Sequence, residues 1–259
     1  MKVAVTGASG FVGRTLCAAL STAGHELVPV DSASSVVHLA AIAHRRAERD
    51  EIRRVNVDLA VRTAEKAAAA RASFVFLSSV KVHGESSASP FREDSPFSPR
   101  DVYAESKARA EERLRAIAGL RLTVLRPPLV YGPGVKANFL ALMNAVARGV
   151  PLPLASIRNR RSLVYVGNLA DAIIGCLGKE GTFLVSDGEP VATPQLCREI
   201  GEALGRRARL FPFPTFFLSE KLSGSLEVED SLIRRTLGWK PPFTRFEGLR
   251  ATAQWYLGR

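Results

Sequence analysis

The sequence predicts an α/β protein built on a doubly wound, mostly parallel sheet, with a smaller C-terminal lobe over the mouth of that sheet. Three observations predict it. Short apolar runs suited to strands alternate with longer helical patterns along the first half of the chain. A glycine-rich turn, "VAVTGASGFVGRTL", joins the first apolar run to the first helical pattern. After Pro127-Pro128 the pattern loosens into loops rich in Pro and Gly, "YGPG", "GVPLPL" and "LFPFPTFF", as expected where a second lobe is inserted above a sheet.

Taken in order, strands are expected near residues 2–6, 27–30, 36–40, 73–77 and 121–125, and helices near 11–23, 47–70, 101–118, 136–148, 168–178, 193–204 and 244–257. The expected division is a Rossmann-type sheet domain, residues 1–131 with 163–180, and the smaller lobe, residues 132–162 with 181–259. One interval does not fit the pattern. Parallel strands in one sheet need a crossover of roughly a dozen residues, yet only Asp31 to Ser35 separate the second and third strands in "LVPVDSASSVVHLAA". Five residues reach at most about 3.5 Å each, too little to pass the first strand, rerun a strand length and form a covering helix. Three readings stand open: residues absent from the chain, a miniature fold with an open adenine pocket, or a local hairpin through Asp31-Ser32-Ala33-Ser34. A second shortening falls near "FPTFFLSEKLSGSLE".

Composition bounds the function. A 259-residue chain with 46% hydrophobic residues fills a core of one large domain or two small ones. No apolar run approaches the roughly 20 residues that cross a bilayer, and no signal-peptide pattern follows Met1, so a cytoplasmic protein without a membrane partner is expected. Cys17, Cys176 and Cys197 lack CxxC spacing, and His25, His38, His44 and His83 lack ligand spacing, so neither disulfide nor metal is expected. The net charge of +11 is spread over arginines from Arg14 to Arg259 without a nucleic-acid-binding motif. It fits a solvated basic surface, part of which favours an anionic small substrate.

The first chemical signal is the glycine turn. Gly7, Gly10 and Gly13 stand where a strand passes into a helix, and there glycine lets a pyrophosphate approach the helix N-terminus and its free N–H groups. The spacing is GxxGxxG, one residue wider than the GxGxxG fingerprint, and no Lys-Ser or Lys-Thr follows to make a P-loop. Asp31 comes 18 residues after Gly13. That is near where a carboxylate accepts the adenosine ribose hydroxyls and repels a 2′-phosphate, favouring NAD over NADP. The other reading of Asp31 is that it simply starts a turn with Ser32.

The second signal is "DVYAESKARAEERL", which puts Tyr103 and Lys107 one turn apart on one helix face. A free phenol titrates near 10, and a neighbouring ammonium together with a positive nicotinamide would favour the phenolate. About 25 residues upstream, "FVFLSSVKVHG" reads as a buried strand ending in Ser78 and Ser79. A hydroxyl there faces the crevice where such sheets bind ligands, within reach of the substrate oxygen that Tyr103 protonates or deprotonates.

With these residues in view, the chain resembles the extended short-chain dehydrogenases/reductases of the NAD-dependent epimerase/dehydratase family, which act on nucleotide sugars. The resemblance spans nearly the whole length through "TGASGFVG", "VVHLAA", "VNVD", "FLSSVKVHGE", "YAESK", "VLRPPLVYGPG", "RRSLVYVGNLADAI" and "RRTLGWKPP". It implies that Ser79, Tyr103 and Lys107 are catalytic. It also implies that Gly7, Gly10, Phe11, Val12, Asp31, Leu39, Ala40, Ala41, Asn56, Tyr103, Lys107 and Pro127 contact NAD. Ser79, Lys81, Tyr103, Asn138 and Arg161 fall on the nucleotide-sugar side, and Asn56 and Asn138 have purely structural readings beside these. Members that dehydrate the sugar carry an Asp-Glu pair after the catalytic hydroxyl, whereas Ser79 is followed by Val80-Lys81. What remains is hydride chemistry at sugar C4: a UDP-hexose or UDP-N-acetylhexosamine 4-epimerase of surface polysaccharide biosynthesis, or a reductase of 4-keto-6-deoxy sugars. A dinucleotide-binding scaffold without turnover is the rival from another class. The helices near 47–70 and 101–118 resemble the pair that makes a four-helix homodimer interface in that family.

Overall fold

The computed structural model of the chain describes residues 1–43, 47–218 and 220–259; His44, one of the four histidines noted above, lies outside them. The main sheet is built from β1 (Lys2–Thr6), β2 (Glu26–Leu27), β3 (Ser35–His38), β4 (Ser73–Leu77), β5 (Arg121–Arg126) and β8 (Gly181–Leu184). Its order is β2-β1-β3-β4-β5-β8, with every pairing parallel. Parallel sheets are covered on both faces, so their strands read as continuous apolar runs whose alternate residues serve opposite layers. β4 shows this: Val75 packs among Leu16, Leu20 and Ile173, while Phe74 and Phe76 pack among Ala60, Ala64 and Leu114.

The first of those layers is α1 (Phe11–Thr22) against α6 (Val166–Gly175); the second is α3 (Leu59–Ala69) with α4 (Val102–Arg115). The helix expected over 47–70 is observed as α2 (Arg49–Arg53), a π-helical turn (Arg54–Asp58) and α3. Such turns are rare and concentrate at functional sites, and this one holds Asn56.

The smaller lobe packs α5 (Ala137–Ala147), α7 (Thr193–Ala203) and α10 (Arg245–Leu257) around Tyr131, Phe139, Met143, Leu196, Ile200 and Leu249. Below it lies a two-stranded parallel sheet of β6 (Leu129–Tyr131) and β7 (Leu163–Tyr165). A capping box closes the start of α10, with Thr244 and Glu247 each satisfying the other's backbone N–H. Two short helices, α8 (Glu220–Ser223) and α9 (Ser231–Leu237), complete the chain. The domain limits differ from those expected. Residues 181–184 belong to the main sheet, because Thr123 to Arg126 of β5 pair with Gly181 to Leu184, and Ile233 of α9 is buried in the sheet's own core.

The short link is closed by trimming β2. Instead of a strand over 27–30, only Glu26 and Leu27 pair with β1, opposite Lys2 and Val3. Val28 donates its N–H to the Val3 carbonyl at 3.0 Å; the chain then makes a 3-10 turn at Val30–Ser32, and the Ser34 N–H meets the Lys2 carbonyl at 2.9 Å. β3 begins directly opposite Val3 on the other side of β1. A two-residue β2 leaves almost no strand length to rerun, so the seven residues between Leu27 and Ser35 suffice. The hairpin reading is overturned, since β2 and β3 flank β1 on opposite sides and each runs parallel to it.

Candidate active site

The glycine turn follows β1 at the carboxyl end of the sheet. Gly7 has φ +74°, and a Cβ there would stand 2.8 Å from the Ala40 backbone nitrogen, so only glycine lets the segment after β3 lie over the turn. A Cβ on Gly13 would meet the Gly7 carbonyl oxygen at 2.2 Å, so the first turn of α1 sits directly on the loop. Gly10 caps α1 without a side chain, which leaves the N–H groups of the first turn to an anionic ligand. The structure therefore brings Gly7, Gly10, Phe11, Val12, Leu39 and Ala40 together, with Ala41 next in line, in a cradle whose tight backbone fits a pyrophosphate.

Ser79 leaves β4 in extended conformation and its Oγ accepts the Lys81 N–H at 3.3 Å, capping the 3-10 turn Val80–Val82. The Val80 N–H bonds the Pro127 carbonyl at 3.0 Å, so Pro127 supports this turn from the end of β5. α4 starts at Asp101, whose carboxylate accepts the Ala104 N–H at 2.8 Å; this cap sets the helix so that Tyr103 faces Ser79. One turn on, the Lys107 Nζ donates to the Leu77 carbonyl at 2.7 Å and lies 4.5 Å above the Phe76 ring. The three residues named from spacing thus meet at the carboxyl end of β4.

Their electrostatics differ from the sequence-based expectation. Burial, reinforced by Asp101 and opposed by the Ser79 hydrogen bond, pushes the Tyr103 phenol up to about 12. Burial brings Lys107 down to about 7 against the pull of Glu111. The Lys107 ammonium alone does not bring the phenol into working range: its Nζ is spent on a carbonyl and is itself desolvated. Tyr103 rests protonated, and positive charge arriving beside it is what would release the proton.

Behind the site lies a buried network that spacing arguments missed. Glu111, fully buried, accepts the Ser78 hydroxyl at 2.5 Å, the Arg126 Nε at 3.0 Å and the Arg126 NH2 at 2.6 Å, with Arg115 adding a bond at 3.2 Å. Arg126 also donates to His83 Nε2 at 3.0 Å and the Glu93 carbonyl at 2.8 Å. One carboxylate so joins α4, β4 and β5 just under Ser79. The available signal was positional: Glu111 is one turn beyond Lys107, and Arg126 directly precedes Pro127.

Two residues expected to contact the cofactor have protein partners of their own. Asn56 accepts the Ile42 N–H at 2.7 Å and donates to the Ile42 carbonyl at 3.1 Å and Ser106 Oγ at 2.9 Å. With both amide hydrogens committed, it braces the segment after β3 against α4. Asp31 lies in the 3-10 turn level with the amino end of β1, exposed and paired with Lys66 at 3.3 Å, far from Gly7 at the other end of that strand. The reading in which it begins a turn with Ser32 is the one the structure takes.

On the substrate side, Lys81 is held by Glu85 at 2.9 Å and Asp101 at 3.0 Å. Arg161 donates to the Gly224 carbonyl at 2.9 Å; burial lowers its pKa while Glu85 raises it. Glu85 thus brings Lys81 and Arg161 into one charged group beside Tyr103. Asn138 stands exposed in the first turn of α5, outside that group.

A glycine cradle at a helix N-terminus, with a serine, tyrosine and lysine converging at the carboxyl end of the same sheet, defines a dinucleotide-dependent enzyme. More narrowly, the chain belongs to the NAD dependent epimerase/dehydratase family, whose model matches residues 3–37 and 31–183. The two matched stretches meet at the trimmed β2–β3 link. The chain is 34% identical over 313 residues to the UDP-glucose 4-epimerase of Vibrio cholerae, covering 99% of this chain and 95% of that protein. Its fold is similar to that of RMD from Pseudomonas aeruginosa complexed with NADPH (TM-score 0.86, 23% identity, 100% and 98% of the two chains). It is also similar to the UDP-glucose 4-epimerase of Thermus thermophilus in complex with NAD (TM-score 0.82, 24% identity, 100% and 99%).

Proposed function

We propose that this enzyme interconverts the C4 epimers of a UDP-hexose or UDP-N-acetylhexosamine. The observation that carries the reading is the convergence of Ser79, Tyr103 and Lys107 at the carboxyl end of β4, in a chain where Val80-Lys81 stands in place of a carboxylate pair. The likeness to the Vibrio cholerae 4-epimerase supports the same reaction.

NAD held by the glycine cradle would supply the hydride acceptor and a positive charge. Tyr103, as phenolate, takes the C4 hydroxyl proton while the C4–H electron pair leaves as hydride; Ser79 holds the same oxygen and fixes its place. Lys107, anchored on Leu77, keeps α4 in register with β4 and adds positive charge when protonated. On the return step Tyr103 would give the proton back to the same oxygen, so the proton balance closes with no net oxidation of the sugar. Arg161 and Lys81 pair with the diphosphate as it displaces their contacts with Glu85. Without carboxylates directly after Ser79, that position offers no base to pull a proton from C5, and water elimination is left out.

The test is anaerobic incubation with UDP-GlcNAc or UDP-glucose and catalytic NAD, followed by proton NMR. The matching galacto epimer is expected, and accumulation of neither epimer would contradict the proposal. The enzyme is further proposed to be a homodimer through the helices of residues 49–69 and α4, which are tied side by side by Arg113–Asp58 at 2.7 Å. A monomer mass in light scattering would refute that.

A further inference from the structure

The two halves of the dinucleotide meet unequal surfaces on this chain. In a doubly wound sheet the carboxylate that holds the adenosine ribose stands at the carboxyl end of the second strand, level with the glycine turn that follows the first. Here β2 stops at Leu27, which faces Val3, three residues short of the end of β1 at Thr6. At about 3.3 Å per residue the second strand ends roughly 10 Å below the cradle. The chain then turns away from the cradle, since the Ser34 N–H and Oγ–H both close on the Lys2 carbonyl at 2.9 Å. Asp31, the acid whose spacing suits the ribose, is carried to the opposite end of β1 and held there by Lys66.

Glu26, the acid on that edge strand, stands opposite Lys2 near the amino end of β1. β2 is the outermost strand of the sheet, whereas the doubly wound order places a further strand beyond the second, and the Leu27 residue that ends β2 is itself exposed. The other half of the ligand meets a finished surface: the cradle of Gly7, Gly10 and Gly13 under Ala40, and the Tyr103–Lys107 helix face.

Resting on the reading of this site as a dinucleotide site, we propose that the chain grips its cofactor through the pyrophosphate and nicotinamide half alone. The adenosine half lies against solvent, and a 2′-phosphate is not discriminated against. Asp31, despite its spacing, plays no part in cofactor choice.

The experiment titrates the full chain with NADH, NADPH and reduced nicotinamide mononucleotide, reading nicotinamide fluorescence, and repeats the NADH titration on Asp31→Ala. Lys66 and Asp31 form an exposed pair, so that variant is expected to fold normally. The expected result is Kd values for NADH and NADPH within about threefold, the mononucleotide within about tenfold, and Asp31→Ala unchanged, because each tenfold needs a real differential contact. An NADH preference well beyond tenfold over both other ligands, or an equal loss in Asp31→Ala, overturns the proposal. Failure of all three ligands to bind is a different pattern, and overturns the dinucleotide-site reading on which the proposal rests.

Discussion

The Lys107 Nζ donates to the Leu77 carbonyl at 2.7 Å, so the helix that carries Tyr103 is pinned to the sheet two residues before Ser79. This contact links α4 directly to the carboxyl end of β4. It also explains why Lys107 does little for the phenol in the resting site: its hydrogen-bonding capacity is directed at the backbone.

Tyr103→Phe removes only the oxygen proposed to move the proton. Activity is expected to fall by about 10²- to 10⁴-fold, the usual contribution of general acid–base catalysis, with NADH binding unchanged by fluorescence titration. In the free enzyme the phenol, identified by ultraviolet difference against Tyr103→Phe, is expected to titrate near about 12. Ser79→Ala should move it higher still, because the Ser79 hydrogen bond is the contribution that lowers it.

Glu111→Gln leaves the buried Arg126 guanidinium without its counter-ion. Breaking a buried pair in this way costs about 3–5 kcal/mol, readable as a reduced denaturation midpoint at constant slope. Replacing both partners, Glu111→Gln with Arg126→Met, should cost less than the sum of the single changes, since the second change removes the stranded charge.

His38 governs acid stability. It is fully buried, its Nδ1 is paired with Thr6 Oγ1 at 3.0 Å, and burial with the nearby Lys107 lowers its pKa from 6.5 to about 3. The unfolded chain therefore binds this proton first as pH falls. The stability contributed by neutral His38 is complete above 6.5 and is lost toward 3, with a slope of about 1.4 kcal/mol per pH unit. His38→Gln should flatten that slope in pH-dependent denaturation. Lys107 has the same sign in another window: its pKa falls from 10.5 to about 7, so stability rises between those values, and Lys107→Met should abolish the rise.

Gly13→Ala forces a methyl to 2.2 Å from the Gly7 carbonyl oxygen. Backbone must shift, at a cost of about 1–3 kcal/mol for overpacking, and the proposed pyrophosphate cradle shifts with it. Weaker NADH binding is expected together with a lowered Tm. Gly175→Ala, at a helical position with nothing within 4 Å, should be neutral or stabilising and leaves binding intact.

What could be read from the sequence was what is local. The glycine turn announces itself because three glycines and the first turn of a helix lie within one loop. Tyr103 and Lys107 could be placed on one face because helix periodicity alone sets their spacing. Glu111 and Arg126 escaped because their partnership joins a helix to a strand and is visible only once both are packed. The three-residue strands β6 and β7 and the four-residue β8 are too short to carry a periodic pattern, which misplaced the domain boundary at 181. Asp31 shows a further limit: its distance from Gly13 along the chain suited the ribose, but its place in space depends on where β2 ends. That end is dictated by the seven residues available to reach β3.

On the proposed reading, Tyr103 takes the C4 hydroxyl proton while hydride leaves sugar C4 and returns to it without release of the keto sugar. The most direct measurement uses UDP-GlcNAc and UDP-glucose carrying deuterium at C4, incubated with the enzyme and catalytic NAD and followed by NMR and mass spectrometry, with Tyr103→Phe beside it. The account predicts inverted C4 product that retains the deuterium, and none in the variant. Deuterium lost from the product, a 4-keto sugar released in place of the epimer, or equal inversion by Tyr103→Phe would contradict it.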